Sequence, residues 1–450
     1  MNNPGNSTAV LAGFAGLCAM VMQNSVARGN PVDSFGFGAR AAAMAGAQTA
    51  ASNDGGAHYY NPAIVAAFDR IRIDLGYQFA RPALTINGLD VGVDASRGLT
   101  ASLSVPGRVA GRRVAIGGGL FLPDQHLSRT RTLSGSKPRF VIYDNRPQRL
   151  FIAANLSLQI ARDLFVGGGL AYMSSTRGSV LLDGRVGFPN AADSDLALDI
   201  DVDLETIRYP QAGILYRAAP WLDIGFSYRG GFKLVLDQIF IVQGDVGGEG
   251  IAPLVEDGFF KLHTVSQDLF QPAQVSGGLV ARISPSFTLA FDLEWQRWSE
   301  FDNPAAQVDI ELDVGQFNDL VDIPEAPSLP EANFRDILIP RVAIEWAPLQ
   351  LPRLDLQVRA GYAYEASPVP DQIGETNFVD NDKHTMCLGA GVVLRRLSTI
   401  LAEPLSLDLF VAVTALAERT HAKLSPADPV GDYRSDGYIV QTGVSSRWRF

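Results

Sequence analysis

From Ile71 to the C-terminus the chain alternates between apolar and polar side chains with a period of two. Ile71, Ile73, Leu75, Tyr77 and Phe79 are interleaved with Arg72, Asp74, Gly76 and Gln78. The same alternation recurs over 222–228, 287–295 and 354–362. Successive side chains on a strand point to opposite faces, so each segment has one greasy face and one wet face. Strands are predicted at approximately 71–80, 98–106, 112–122, 148–161, 164–176, 206–218, 221–236, 271–283, 286–300, 336–347, 354–366, 384–396, 404–417 and 437–450, an even number of about 14.

Two architectures share this pattern. A soluble sandwich turns its apolar face inward, whereas an outer-membrane barrel turns it out to lipid and lines its lumen with the polar face. Strand lengths of about 10 to 15 residues exceed those common in soluble sheets. Aromatic residues gather near strand ends, at Tyr77, Phe79, Tyr228, Trp295, Tyr362 and Tyr364, as an interfacial girdle requires. Short links such as Ala218-Ala219-Pro220 and Ser284-Pro285 alternate with long ones at 123–147, 177–205, 237–270, 301–335 and 367–383. The expected fold is therefore an all-β transmembrane protein, an antiparallel barrel at residues 71–450 with periplasmic turns and extracellular loops. Its last strand ends in Trp448 and Phe450 on the apolar face, the kind of terminus that resembles a membrane-insertion signal.

Composition sharpens this picture. No apolar run reaches the ~18 residues of a transmembrane helix, and 44 Gly with 26 Pro favour strands and turns. A net charge of −11 argues against a nucleic-acid partner. Residues 1–27 read as a signal peptide: an apolar core from Ala9 to Met22 precedes Ser25-Val26-Ala27, although no positive charge opens the segment. A lipoprotein reading through Cys18 is disfavoured by Leu17 just before it. Residues 28–70 lack alternation, and the Ala-rich 39–51 stretch is too short to stand as an independent domain. The lumen is the place for such a segment to pack, as a hatch that plugs the barrel.

Specific residues carry a resemblance. Residues 34–47 with 57–63, then Phe68-Asp69-Arg70, resemble the N-terminal hatch of the FadL-type long-chain fatty acid transport porins; 295–301, 359–371 and 380–384 are similar to later parts of that family. The resemblance implies a fourteen-stranded barrel that takes up hydrophobic molecules such as long-chain fatty acids or aromatic hydrocarbons. It further implies passive passage gated by the hatch and release sideways into the membrane. Asn61, Pro62 and Ala63 match the family's hatch motif; its ligand-pocket residues have no local motif to carry over. The chain is thus expected to be a non-enzymatic, monomeric channel without cofactor. Its partners would be hydrophobic small molecules, outer-membrane lipid, lipopolysaccharide and the barrel-insertion machinery. An outer-membrane lipid-modifying enzyme and a surface adhesin or structural barrel are the alternatives.

An apolar solute gains ~0.8 kcal/mol per buried methylene, so it needs a greasy route through a polar surface. In the 237–270 link, Phe240, Phe259, Phe260, Leu262 and Phe270 are expected to contribute to a capture groove, or else to pack the link on itself or extend the strands into a rim. The row Asp199, Asp201, Asp203 and Glu205 fits a solvated hairpin or a divalent-bridged lipopolysaccharide edge better than a dedicated calcium site. Five scattered histidines give no zinc spacing. Gly117–Gly119 and Gly167–Gly169 are expected to bend strands or make room for the hatch. Asp292 and Glu294 are the one carboxylate pair suited to acid–base work, and a polar lumen lining accounts for them.

Overall fold

The computed structural model describes residues 32, 35–124, 137–143, 150–187, 194–247, 253–321, 323, 328–396, 403–426 and 428–450; the expected leader, with Cys18, lies outside them. Fourteen antiparallel strands form the wall. They are β1 (Arg72–Ile86), β2 (Ser96–Val109), β3 (Arg112–Pro123), β4 (Phe151–Ala161), β5 (Leu164–Gly187), β6 (Asp195–Ala219) and β7 (Leu222–Arg229). They continue with β8 (Gln274–Ser284), β9 (Phe287–Gln296), β10 (Ile337–Gln350), β11 (Leu354–Glu365), β12 (Lys383–Leu394), β13 (Leu405–His421) and β14 (Tyr433–Arg449). Each pairs with the next. β14 returns to β1 in register from Arg72↔Arg449 to Ile86↔Ser435, which closes the barrel and removes every free wall edge.

The wall is inside-out relative to a soluble protein. Arg359 is 1% exposed while Met386, one strand away and facing outward, is 65% exposed. Gln78, Ser102, Ser104, Asn155 and Gln211 are buried inward, whereas Leu75, Leu103, Ile116, Leu156 and Ile214 face out. Only a hydrocarbon solvent makes that arrangement favourable.

The 237–270 link departs from its expected loop. It forms two arms, Phe232–Gly247 and Val255–Gln271, which pair with each other. The unbroken run Ile239-Phe240-Ile241-Val242 shows no period of two; the strand has neighbours on both edges, with Phe240 and Val242 packed on one face and Ile239 and Ile241 half-buried on the other. The link 177–205 is likewise the outer half of the β5–β6 hairpin, and Gln307–Asp313 adds a further strand within 301–335.

The first arm continues β7, yet it pairs in parallel with the far edge of β5, from Gln238↔Gly178 to Gly247↔Gly187. To reach that edge the arms cross the lumen face of the β5–β6 hairpin. There Met173, Ile207 and Tyr209 pack against Phe232, Leu234 and Leu269, with Tyr209 and Phe232 rings 5.1 Å apart. The departure from the wall needs Gly231, where a Cβ would lie 2.6 Å from the Ala273 backbone nitrogen.

Candidate functional site

Residues 35–68 lie inside the lumen as two short helices, α1 (Ala39–Ala43) and α2 (Ala57–Tyr60), and a 3-10 turn, Pro62–Ala67. Their small side chains set the depth of packing: Met44, Ala47, Ala50, Ala51, Ala57 and Ala63 meet Ala115, Phe165, Leu215, Val280, Ala290 and Ala343 of the wall. Wall glycines complete the fit. A Cβ at Gly167 would fall 2.5 Å from the Ala63 nitrogen, one at Gly213 2.0 Å from Asn61 Oδ1, and one at Gly361 2.5 Å from the Met44 carbonyl carbon. Gly117 and Gly119 likewise border His58 and Phe37, while Gly169 instead borders the Ala154 backbone.

Asn61 needs both ends of its amide. Its Oδ1 accepts from Ala63 N at 3.1 Å and so caps the turn that Pro62 opens. Its Nδ2 donates to Thr49 O at 2.7 Å and to Ile214 O of β6 at 3.0 Å. Ser157 of β4 donates to Pro62 O at 2.6 Å. The Asn-Pro-Ala segment is thereby fixed to β4, β5 and β6. Beside it His58 is fully buried, with Nδ1 facing Asn155 Nδ2 at 3.2 Å and Nε2 facing Ser104 Oγ at 2.9 Å, which suits a neutral ring protonated on Nε2. Burial lowers the His58 pKa from 6.5 to about 4, and a hydrogen bond to the Leu103 carbonyl opposes this only in part.

The opposite side of the segment is held by charge. Arg40 of α1 meets Glu345 at 3.0 Å; Glu345 meets Arg359 at 2.5 Å, and Arg359 meets Asp408 at 2.6 Å. Arg447 then joins Asp408 at 3.7 Å, Asp74 at 3.0 Å and Asp54 of the lumen segment at 3.5 Å. Asp292, one of the two carboxylates weighed for acid–base work, accepts from Gln48 N and Thr49 N at 2.8 Å each. Glu294 pairs with Arg341 at 3.1 Å. Both carboxylates are thus engaged in holding structure.

Above the segment sits an aromatic cluster assembled from distant parts of the chain. Phe270 ends the second arm, Trp298 and Phe301 flank a 3-10 turn after β9, and Phe334 precedes β10. Phe378 comes from a two-residue strand paired with Arg139–Phe140. Ring centroids lie 4.2 Å apart for Phe301–Phe334, 5.4 Å for Phe270–Phe301 and 5.8 Å for Phe334–Phe378. Phe35 of the lumen segment and Ile339 of β10 belong to the same cluster and also line a cavity of about 100 Å³ beneath it. The floor of that cavity is polar, with Arg341 beside Glu294, and Glu365 also lines it, paired with Lys383 at 2.7 Å.

Of the expected capture residues, Phe270 alone enters this cluster. Phe240, Phe260 and Leu262 pack in the outer sheet with Val242, Val308 and Ile310, and Phe259 lies half-buried on the other face of its strand. Trp298, Phe301, Phe334, Phe378 and Phe140 carry no sequence signal as a group, except that Trp298 and Phe301 are three apart. Asp199 and Asp201 are exposed on β6; the side chains at 203 and 205 lie outside the described residues. No group of three potential metal ligands forms among the described residues. Trp448 is half-buried with Nε1 donating to Ser446 Oγ at 3.2 Å, and Phe450 is exposed with its amide donating to Ile71 O at 3.1 Å.

The model of a family described as outer membrane protein transport protein (OMPP1/FadL/TodX) matches residues 148–402. Alkane uptake protein A of Marinobacter nauticus is 29% identical over 170 residues, 38% of this chain and 34% of that protein. The match therefore spans about a third of this curated relative's length. Among solved structures, a Pseudomonas aeruginosa FadL homologue is 16% identical with a TM-score of 0.56, over 96% of this chain and 99% of that one. The Pseudomonas putida toluene transporter TodX is 15% identical with a TM-score of 0.52, over 92% and 99%. These structural likenesses are likenesses of fold.

Proposed function

This chain belongs to the OMPP1/FadL/TodX family of outer-membrane transport proteins, and from that premise we propose that it is a passive uptake channel for uncharged hydrophobic molecules of alkane or monoaromatic type. The aromatic cluster resting on Phe35 is the observation that carries this reading. A solute that enters exchanges ring contact for ring contact, so the apolar burial that holds the cluster closed also receives the cargo. Among the described residues lining the cavity the one cation, Arg341, is already matched by Glu294, which favours neutral cargo over fatty acids.

In this scheme the outer sheet bearing Phe240, Phe259, Phe260 and Leu262 receives the solute first, Phe270 passes it to the cluster, and residues 28–70 act as the gate. Release is sideways, where both arms leave the wall between Pro210 and Arg297. Gly231→Val, which would displace the arms, should lower uptake while the barrel still assembles; unchanged uptake would remove this route. Phe259→Ser with Phe260→Ser tests the outer sheet in the same way. Trp448 and Phe450 are proposed as the insertion signal, and Phe450→Ala should reduce the assembled fraction on heat-modifiability gels.

The deciding experiment measures uptake of labelled toluene, dodecane and oleate by cells with and without the gene. Phe301→Ala with Phe378→Ala should slow hydrocarbon uptake about tenfold, the equivalent of ~1.4 kcal/mol. If deleting the gene left uptake of every tested hydrophobe unchanged, the transport reading would fall. Faster uptake of oleate than of hydrocarbons would overturn the preference for neutral cargo alone.

A further inference from the structure

The two ends of the barrel differ in their cations. All five lysines, Lys137, Lys233, Lys261, Lys383 and Lys423, belong to the long-loop end. At the short-turn end, the periplasmic end of an outer-membrane barrel, the cations are arginines. Four of these are exposed and make no ion pair among the described residues: Arg112 at the β2–β3 turn, Arg162 at β4–β5, Arg353 at β10–β11 and Arg396 at the end of β12. Arg108 and Arg217 are exposed but turned to the lumen side, Arg217 stacking 5.1 Å over the inward Phe165 ring and Arg108 lying opposite Arg113, which donates to Ala67 O.

The acids at this end do not neutralise them. Asp69 pairs with Arg72 at 3.6 Å, Glu403 with Arg70 at 3.3 Å, Asp223 with Arg282 at 2.5 Å, and Asp355 with Arg395. Asp163 is the one acid there without an ion pair among the described residues. A surplus of cations on a chain of net charge −11 means that the negative charge is concentrated at the other end.

Height and distribution identify the partner. Trp221, Trp346 and Phe450 are exposed at the same end, and exposed indoles settle at the headgroup plane of a bilayer. The free arginines sit on turns spread around the circumference. A docking protein would press on one patch, whereas a lipid annulus meets every turn. Guanidinium groups bind phosphate diesters through two parallel hydrogen bonds, which lysine does not provide. We propose that the periplasmic rim is a phosphate-binding collar: these four arginines hold anionic phospholipid headgroups of the inner leaflet and fix the barrel's height in the membrane.

The test is native mass spectrometry of delipidated, folded barrel titrated with phosphatidylglycerol or phosphatidylcholine. The wild type should retain several phosphatidylglycerol molecules and few phosphatidylcholine molecules, and retention should weaken at high salt. At roughly fivefold per arginine near an anionic surface, the quadruple Arg→Gln variant should lose that preference. If it fails to fold, as judged by heat-modifiable gel mobility, the double R112Q/R162Q variant should show a graded loss. Equal retention of the two lipids by the wild type overturns the collar, as does undiminished phosphatidylglycerol retention by the variants. If the substitutions abolish binding of an acidic periplasmic protein and leave phosphatidylglycerol retention intact, the lipid assignment is overturned. Hydrocarbon uptake is a separate readout, so failure here leaves the transport reading standing.

Discussion

The lumen segment is held by two unlike halves of the wall. Toward β4–β6 it is tied by neutral groups: His58, Asn61, Asn155, Ser157 and Gln211, with glycines that let backbones meet. Toward β10–β14 and β1 it is tied by a ladder of buried charges running from Arg40 to Asp54 through Arg359 and Arg447. A neutral interface depends on shape, and loosens when a donor, an acceptor or a few cubic ångströms are wrong. A buried ionic interface depends on completeness, because removing one member strands its partners in a place where charge is poorly solvated. The same lumen segment therefore has one seam sensitive to packing and protons and another sensitive to charge deletion.

The largest break of this contrast should come from Arg359→Ala. It leaves Glu345 and Asp408 facing each other without their shared cation, at a cost of about 3–5 kcal/mol. Urea unfolding of the reconstituted barrel should shift by that amount. A loss under ~1 kcal/mol would mean that the ladder is not what holds this half. Gly167→Val comes next, because its side chain must enter the Pro62–Ala63 backbone, where even a Cβ would lie 2.5 Å from a nitrogen. Overpacking of this kind costs about 1–3 kcal/mol, and single-channel recordings should show an open-pore conductance absent from the wild type.

Asn61→Ala removes a cap and two carbonyl ties at once, for about 1–2 kcal/mol. Amide exchange across 57–67 should speed up while 39–44 stays protected; equal acceleration of both stretches would show that the halves are not independent. The smallest effect is a pH effect. His58 has a folded pKa of about 4, below the free value of 6.5, so protonation favours release. The stabilisation is fully present above pH 6.5 and declines as the pH falls toward 4, by up to about tenfold per pH unit in the opening equilibrium. Exchange at 57–63 should follow that window in the wild type and flatten in His58→Gln.

Much of the scaffold was readable from periodicity. The wall strands, their even number and the lipid-facing set including Leu75, Phe226 and Leu293 follow from a period of two, a local property of the chain. The short turns followed as well. The arms at 232–271 did not, because Ile239 to Val242 is apolar on every residue, and a run apolar on both faces has no alternation to show.

Asn61, Pro62 and Ala63 stood out as a segment, while their work did not. That Asn61 donates to β6 and that Gly167 and Gly213 are empty so that it can do so are facts of residues more than a hundred positions apart. The aromatic cluster lies further still from local inspection. Of the aromatic residues in the 237–270 link, only Phe270 reached it, and its neighbours Trp298, Phe301 and Phe334 arrive on the β9–β10 connection and Phe378 on another. The sequence by itself determined which side chains face lipid, since that depends on each residue and its immediate neighbours. Only the closed barrel decided which rings meet above Phe35 and which charges line up from Arg40 to Asp54, because closure brings distant strands to face one enclosed space.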